Sequence, residues 1–203
     1  DLIRTAHWPR IEESYGEDGY LSAAMGGAFV EGLQKNGLKD GVAACTKHFW
    51  GYGGGSSLTW KEIFEEVLMP HEAMIRLADC KVLMTSYGRF RSEQAVSSDT
   101  LLNQILRGYL EFDGFVVGDY GAVEHSSQKG NPEILKQRAI EALVAGNDIE
   151  LPSNNCYKCL PELMKDGLID EQYFEKAVKR SLMLKARLGL LSTDRKLYTN
   201  GDL

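Results

Sequence analysis

The sequence has no apolar run approaching the roughly 20 residues that cross a bilayer as a helix, so no membrane-spanning helix and no membrane partner is expected. Basic residues are not in excess: 23 Lys and Arg stand against 29 Asp and Glu, a net charge of −6. A phosphate backbone needs a concentrated basic face, so nucleic acid is not an expected partner. Cysteine is scarce, four in 203 residues, which excludes a disulfide-dense miniprotein. Cys45 and Cys80 sit in apolar runs and are expected to act as small core residues. Cys156-Tyr-Lys-Cys159 has CxxC spacing but no second ligand pair, so a structural role is expected, with no metal and no cofactor. The opening Asp1-Leu-Ile-Arg4 lacks an initiator Met and a charged-then-apolar leader. The chain therefore reads as an internal piece of a longer polypeptide, its compartment left open.

What is present is an apolar fraction of 43%, ample for a core and too high for a disordered chain. Short β-rich runs alternate with amphipathic stretches, the pattern of βα units around a parallel sheet. The spacing predicts a helix over Asp18 to Leu38 with Leu21, Met25, Phe29 and Leu33 inward. Strands are expected at Gly41–Thr46, breaking at Lys47-His48, at Lys81–Ser86, at Gly114–Val117 and, briefly, at Asp148–Leu151. Thr59-x-x-Glu62 is a capping-box match that starts a second helix with Ile63, Val67 and Leu68 inward. Further helices are expected at Asp99–Leu110, from Asn131-Pro132 to about Ala145, at Lys158–Asp166, and at Asp170–Leu188 with Phe174, Val178, Leu182 and Leu188 inward. Four strands do not close an eight-stranded barrel, which takes about 250 residues. The pattern alone leaves two solutions, a small open sheet or the later part of a barrel.

Polar groups stand at successive strand ends: Lys47 and His48, then Tyr87, then Asp119 and Tyr120, then Asp148 and Glu150. In parallel α/β folds that edge is where ligands bind. Asp119 follows the apolar Phe115-Val-Val and could serve as a nucleophile or general base, or simply as a cap or loop ion pair. Lys47 and His48 could bind polyol hydroxyls, although His48 also reads as a hydrogen-bonded structural histidine. Trp8, Phe49, Trp50, Tyr52, Tyr87 and Tyr120 crowd the same loops and suit either sugar faces or core packing. Gly51-Tyr-Gly-Gly-Gly-Ser56 lacks the Gly-Lys-Ser/Thr ending of a phosphate loop.

Five ordered motifs then carry a resemblance. Arg4…Trp8-Pro-Arg10-Ile-Glu-Glu-Ser-Tyr-Gly-Glu-Asp18, Ala44-Cys-Thr-Lys47-His48-Phe-Trp-Gly-Tyr52, Leu83-Met-Thr-Ser-Tyr87, Gly114-Phe-Val-Val-Gly-Asp119-Tyr120-Gly, and Ala145-Gly-Asn-Asp148-Ile-Glu-Leu resemble the barrel domain of family 3 glycoside hydrolases. The β-glucosidase and β-xylosidase branch is the nearest. The resemblance implies that residues 1–203 are a partial (β/α) TIM-type barrel whose first strands, and a second domain supplying the general acid, lie outside this chain. It implies a retaining hydrolase acting on β-glucosides or β-xylosides from non-reducing ends, with Asp119 as nucleophile and Arg10, Lys47, His48, Tyr87 and Tyr120 around the substrate. Its partners would be that carbohydrate and the missing strands and second domain, or a second copy.

Departures from the family pattern are specific. Pro9 restricts the backbone just before Arg10, Gly118 replaces a usual Ser, and Gly53–Ser57 offers no Arg. The Asp-Ser-His arrangement of the N-acetylglucosaminidase branch is missing. Glu17, Asp148 and Glu150 are the nearby carboxylates, expected to pair with Arg10 or the backbone rather than act as the acid. Two other readings remain open: a barrel fragment that binds sugar or a protein without turnover, and an aldolase-like enzyme using Lys47 as a Schiff base.

Overall fold

Short polar side chains set where the helices begin. Asp18 accepts from the Leu21 N–H at 2.6 Å and opens α1 (Gly19–Gln34). Thr59 and Glu62 form a reciprocal capping box at α2 (Trp60–Glu62), which continues through a π turn, Ile63–Val67, into α3 (Met69–Arg76). Asn131 caps α4 (Pro132–Ala145), and Gly146, at φ 102°, ends it in the left-handed region. A 3₁₀ turn, Tyr157–Cys159, leads into α5 (Leu160–Lys165), and Asp170 caps α6 (Glu171–Arg187). These are features of a computed structural model that describes residues 1–54, 58–124 and 130–192.

The strands are β1 (Cys45–Phe49), β2 (Val82–Thr85), β3 (Arg89–Phe90), β4 (Glu93–Gln94) and β5 (Phe115–Gly118). β1, β2 and β5 form one parallel sheet in that order, the α/β layer expected from the alternating pattern. Val82 to Thr85 pair in step with Phe115 to Gly118. Pairing of β1 with β2 shifts between Thr46 and Phe49, so Lys47 and His48 occupy an irregularity inside the strand. The expected break at these two residues is thus a bulge, and the strand resumes at Phe49, which is fully buried. The expected strand at Asp148–Leu151 is reduced to one bridge, Val117 to Ile149, at a fourth parallel position beside β5. The β3–β4 hairpin, two residues a side, is too short to leave a periodic signature.

Helix spans match closely, but the apolar stripes expected inward on two helices are largely exposed. The first ends at Gln34, four residues before the expected Leu38, where Lys35, Asn36 and Leu38 take positive φ. Its buried residues are Ser22, Ala23, Gly26, Val30 and Gln34, while Leu21, Met25 and Phe29 are 48%, 48% and 59% exposed. Small residues allow the close approach of α1 to α3: a Cβ at Gly26 would lie 3.0 Å from the Met74 sulfur. Along α6 only Ala177 is buried, and Phe174, Val178 and Leu182 are exposed rather than inward. The π-helix Thr100–Tyr109 does bury Leu102, Ile105 and Leu106, with Leu110 behind them, as expected. Cys45 lies exposed on β1, contrary to a core role, whereas Cys80 is buried. Cys156 packs into an apolar cluster with Leu143, Leu160 and Leu163, and burial pushes its thiol up.

Candidate active site

Asp119 immediately follows β5. All four residues of that strand are buried, which fixes the carboxylate on a rigid base. Only 9% of Asp119 is exposed. Its Oδ1 accepts from the Tyr120 N–H at 2.7 Å, while Oδ2 is buried and has no hydrogen-bond partner. His48 Nε2 stands 3.4 Å from that free oxygen. A buried, half-satisfied carboxylate costs free energy, and it is the kind of group that persists where a ligand completes it.

The bulge in β1 delivers His48 inward and Lys47 outward. Burial, followed by the positive charge of Arg10, holds His48 down at about 4, so its imidazole is neutral near pH 7. The second ring nitrogen, Nδ1, lies 2.6 Å from Asp1 Oδ2. Tyr87, at the end of β2, is half-buried and donates through its hydroxyl to the Tyr120 carbonyl at 2.7 Å. Burial, then the negative charge of Asp119 and a hydrogen bond between the two side chains, raise the Tyr87 phenol, which keeps it a neutral donor.

Arg10 and Lys47 meet on a residue that the sequence did not single out. Glu13 accepts from Arg10 Nε at 2.5 Å and Nη2 at 2.7 Å, and pairs with Lys47 Nζ at 2.5 Å. Those contacts, the Arg10 bonds foremost, pull the Glu13 carboxyl down to about 2. Lys47 Nζ is engaged by the Glu13 carboxylate rather than free to attack a carbonyl, which disfavours the Schiff-base reading. The Arg10 guanidinium also lies 5.4 Å from the centre of the Tyr52 ring. Tyr52 in turn stands edge-on to Trp8, His48 and Tyr87, at 5.9, 5.1 and 5.7 Å between centroids. Glu13 was legible only as the third residue after Arg10, a spacing that becomes a contact because residues 11–13 form a 3₁₀ turn.

The other sequence candidates take different places. Tyr120 contributes its backbone to Asp119 and Tyr87, and its side chain is 62% exposed beside them. Asp148 accepts from the Val116 backbone N–H at 2.8 Å, the backbone role expected of it, and pairs with Arg107 at 3.1 Å and Arg180 at 2.7 Å rather than with Arg10. Glu150 accepts from the backbone N–H groups of Cys156 and Tyr157, the backbone role expected of it. Glu17 is exposed. Phe49 and Trp50 are core, at 0% and 2% exposed. The glycine-rich loop is described to Gly54, and its remainder, with Ser56 and Ser57, lies outside the described residues. A cavity of about 210 Å³ between α1 and β1 has Lys47 and Glu13 in its wall, but Asp119 is not part of that lining.

Comparison with known proteins places this arrangement. The family model "Glycosyl hydrolase family 3 N terminal domain" matches residues 1–184. A xylan 1,4-beta-xylosidase of Xylanibacter ruminicola is 31% identical over 93% of this chain and 23% of its own length. A beta-xylosidase of Formosa agariphila is 34% identical over 91% of this chain and 28% of its own. The crystal structure of a beta-glucosidase from Listeria innocua in complex with glucose superposes with a TM-score of 0.89 at 31% identity, covering 100% of this chain and 30% of that one. The chain spans about a quarter of the length of these curated relatives. With its parallel α/β layer, its ordered strand-end residues and the family match across most of its length, the chain belongs to glycosyl hydrolase family 3, as part of the N-terminal barrel domain.

Proposed function

We propose that this chain carries the nucleophile half of a retaining β-glycosidase active site for β-glucosides or β-xylosides, with Asp119 as nucleophile. The observation that carries the reading is the Asp119 carboxylate: buried at a strand end, anchored through one oxygen, and free at the other. In the first step Oδ2 bonds to the anomeric carbon as the glycosidic bond to the leaving oxygen breaks, and an acid protonates that oxygen. In the second, water displaces the carboxylate and restores it. Neutral His48, the Tyr87 hydroxyl and the Lys47–Glu13–Arg10 cluster supply acceptors and donors for sugar hydroxyls, and exposed Tyr120 borders the leaving-group side.

The acid/base comes from outside this chain. A retaining pair needs a second carboxyl roughly 5 Å from the nucleophile. Glu13, Asp148 and Glu150 are each committed to two cationic side chains or to backbone N–H groups. The remaining barrel strands and a second domain are the proposed structural partners, with a second copy as their substitute when the chain is alone. The chain's coverage of about a quarter of its relatives favours one further reading, a fragment that binds sugar without turning it over. A 2-fluoroglycoside separates the two. Mass spectrometry is expected to find the fluorosugar on the peptide containing Asp119, and an unlabelled protein that still binds the sugar would replace the hydrolase reading with the binding one.

A further inference from the structure

Asp1 lies behind His48, one of the proposed sugar-facing groups, and is nearly as buried. Its side chain is 3% exposed and that of His48 is 1%. Asp1 Oδ2 accepts from the His48 backbone N–H at 3.1 Å and stands 2.6 Å from His48 Nδ1. The Asp1 backbone nitrogen donates to the Lys47 carbonyl at 2.8 Å. One residue therefore grips both members of the β1 bulge, through the ring nitrogen that Asp119 does not face.

A neutral imidazole has one N–H, and a carboxylate can only accept. The 2.6 Å contact assigns that proton to Nδ1. Nε2, 3.4 Å from Asp119 Oδ2, is left with a lone pair and cannot donate to it. Oδ2 is thus buried beside a ring nitrogen with which it makes no hydrogen bond.

We propose that Asp1 is a positioning residue that holds His48 in its Nδ1–H tautomer, keeping the attacking oxygen of Asp119 free of a hydrogen bond from His48 and offering Nε2 to a sugar hydroxyl. The catalytic consequence rests on Asp119 being the nucleophile. Without Asp1, the Nε2–H tautomer, which unconstrained neutral imidazole favours, donates to Oδ2 and weakens it as a nucleophile.

The experiment is ¹⁵N NMR of the imidazole nitrogens in the 203-residue chain near pH 7, with His48 signals assigned by their loss in His48→Asn. The expected spectrum has a protonated Nδ1 and an unprotonated Nε2. Asp1→Ala is expected to reverse that pattern, and Asp1→Asn, whose amide oxygen still accepts, to keep it. Fluoroglycoside labelling of Asp119 should slow on the order of tenfold or more in Asp1→Ala and recover in Asp1→Asn. A wild-type Nε2–H, or a folded Asp1→Ala with an unchanged tautomer, overturns the proposal. If Asp1→Ala does not fold, the wild-type and Asp1→Asn spectra decide it. Absent labelling of Asp119 in the wild type, with the tautomer as stated, refutes the nucleophile reading and the catalytic role of Asp1 with it, and leaves only the tautomer lock.

Discussion

Asp119 is informative because its two oxygens are treated differently. Converting it to Asn preserves the Oδ1 contact with Tyr120 N–H and removes the anionic oxygen beside His48. Asp119→Asn, in a preparation containing whatever completes the molecule, is expected to lower kcat by on the order of 10³-fold or more at unchanged thermal stability. Undiminished turnover of an aryl β-glycoside would remove it from the mechanism. His48 makes a second prediction. Its folded value, about 4, lies below the roughly 6.5 of an unfolded histidine. Between these values the unfolded chain binds a proton that the native one refuses, so stability is full above pH 6.5 and falls as pH drops toward 4. Arg10 and Lys47 favour the neutral ring, while Asp119 opposes them and Asp1 takes the ring N–H. The contribution is about 3 kcal/mol at most, with buried His71 adding loss in the same direction. Urea midpoints from pH 7 to 4 are expected to fall less steeply in His48→Asn, and parallel slopes would contradict the assignment. Asp119, His48 and Tyr87 were legible because each ends or interrupts an apolar run. Asp1, and the Lys47 side of Glu13, were not, because these contacts run across 47 and 34 residues of sequence.

At the level of elements, β5 is located by what surrounds its two ends. Gly114 precedes it where a Cβ would stand 2.4 Å from the Lys81 carbonyl oxygen and 2.5 Å from the Phe112 ring. Gly114→Ala is therefore expected to destabilise the fold by about 1–3 kcal/mol through overpacking, and to shift Asp119 with the strand. Denaturant unfolding checks the first effect and the rate of fluoroglycoside labelling the second. Asp148 ties the strand to two helical segments: Oδ2 accepts from Val116 N–H at 2.8 Å and from Arg107, and Oδ1 accepts from Arg180 on α6. Asp148→Ala leaves Arg107 charged and poorly solvated, a loss of about 3–5 kcal/mol. A loss below about 1 kcal/mol would show that the buried network is not holding β5. Element positions were readable from caps and apolar runs, since Thr59-x-x-Glu62 and Asn131-Pro132 act locally. The direction each helix faces was not. In α1 the stripe Leu21, Met25, Phe29 has helical spacing, yet the side that packs on α3 is the small-residue side, Ala23 and Gly26.

The whole molecule shows why those stripes point outward. Its parallel layer ends on one side at β1 and on the other at the Ile149 bridge, and neither edge is paired within the described residues. On the side of the first edge, Phe29 of α1 lines a cavity with Cys45, Thr46 and Lys47 of β1, and Leu21, Met25 and Phe29 along that helix are exposed. Beside the second stand exposed Phe174, Val178 and Leu182, over a groove that reaches Asp148 and Ile149. Unpaired strand edges flanked by apolar helix faces are association surfaces, because water satisfies the backbone there but gains nothing from the side chains. In a closed barrel both would be covered by neighbouring βα units. Alone, the chain is expected to sediment above its monomer mass at micromolar concentration. Charges placed on the first seam by Phe29→Glu with Leu21→Glu should shift it toward monomer without loss of helical circular dichroism, since neither side chain is in the core. Addition of the preceding barrel segment as a separate polypeptide should do the same by occupying the β1 edge. A wild-type chain that sediments as a monomer at these concentrations would mean that the seams are tolerated in water, and the apolar stripes would then need another explanation.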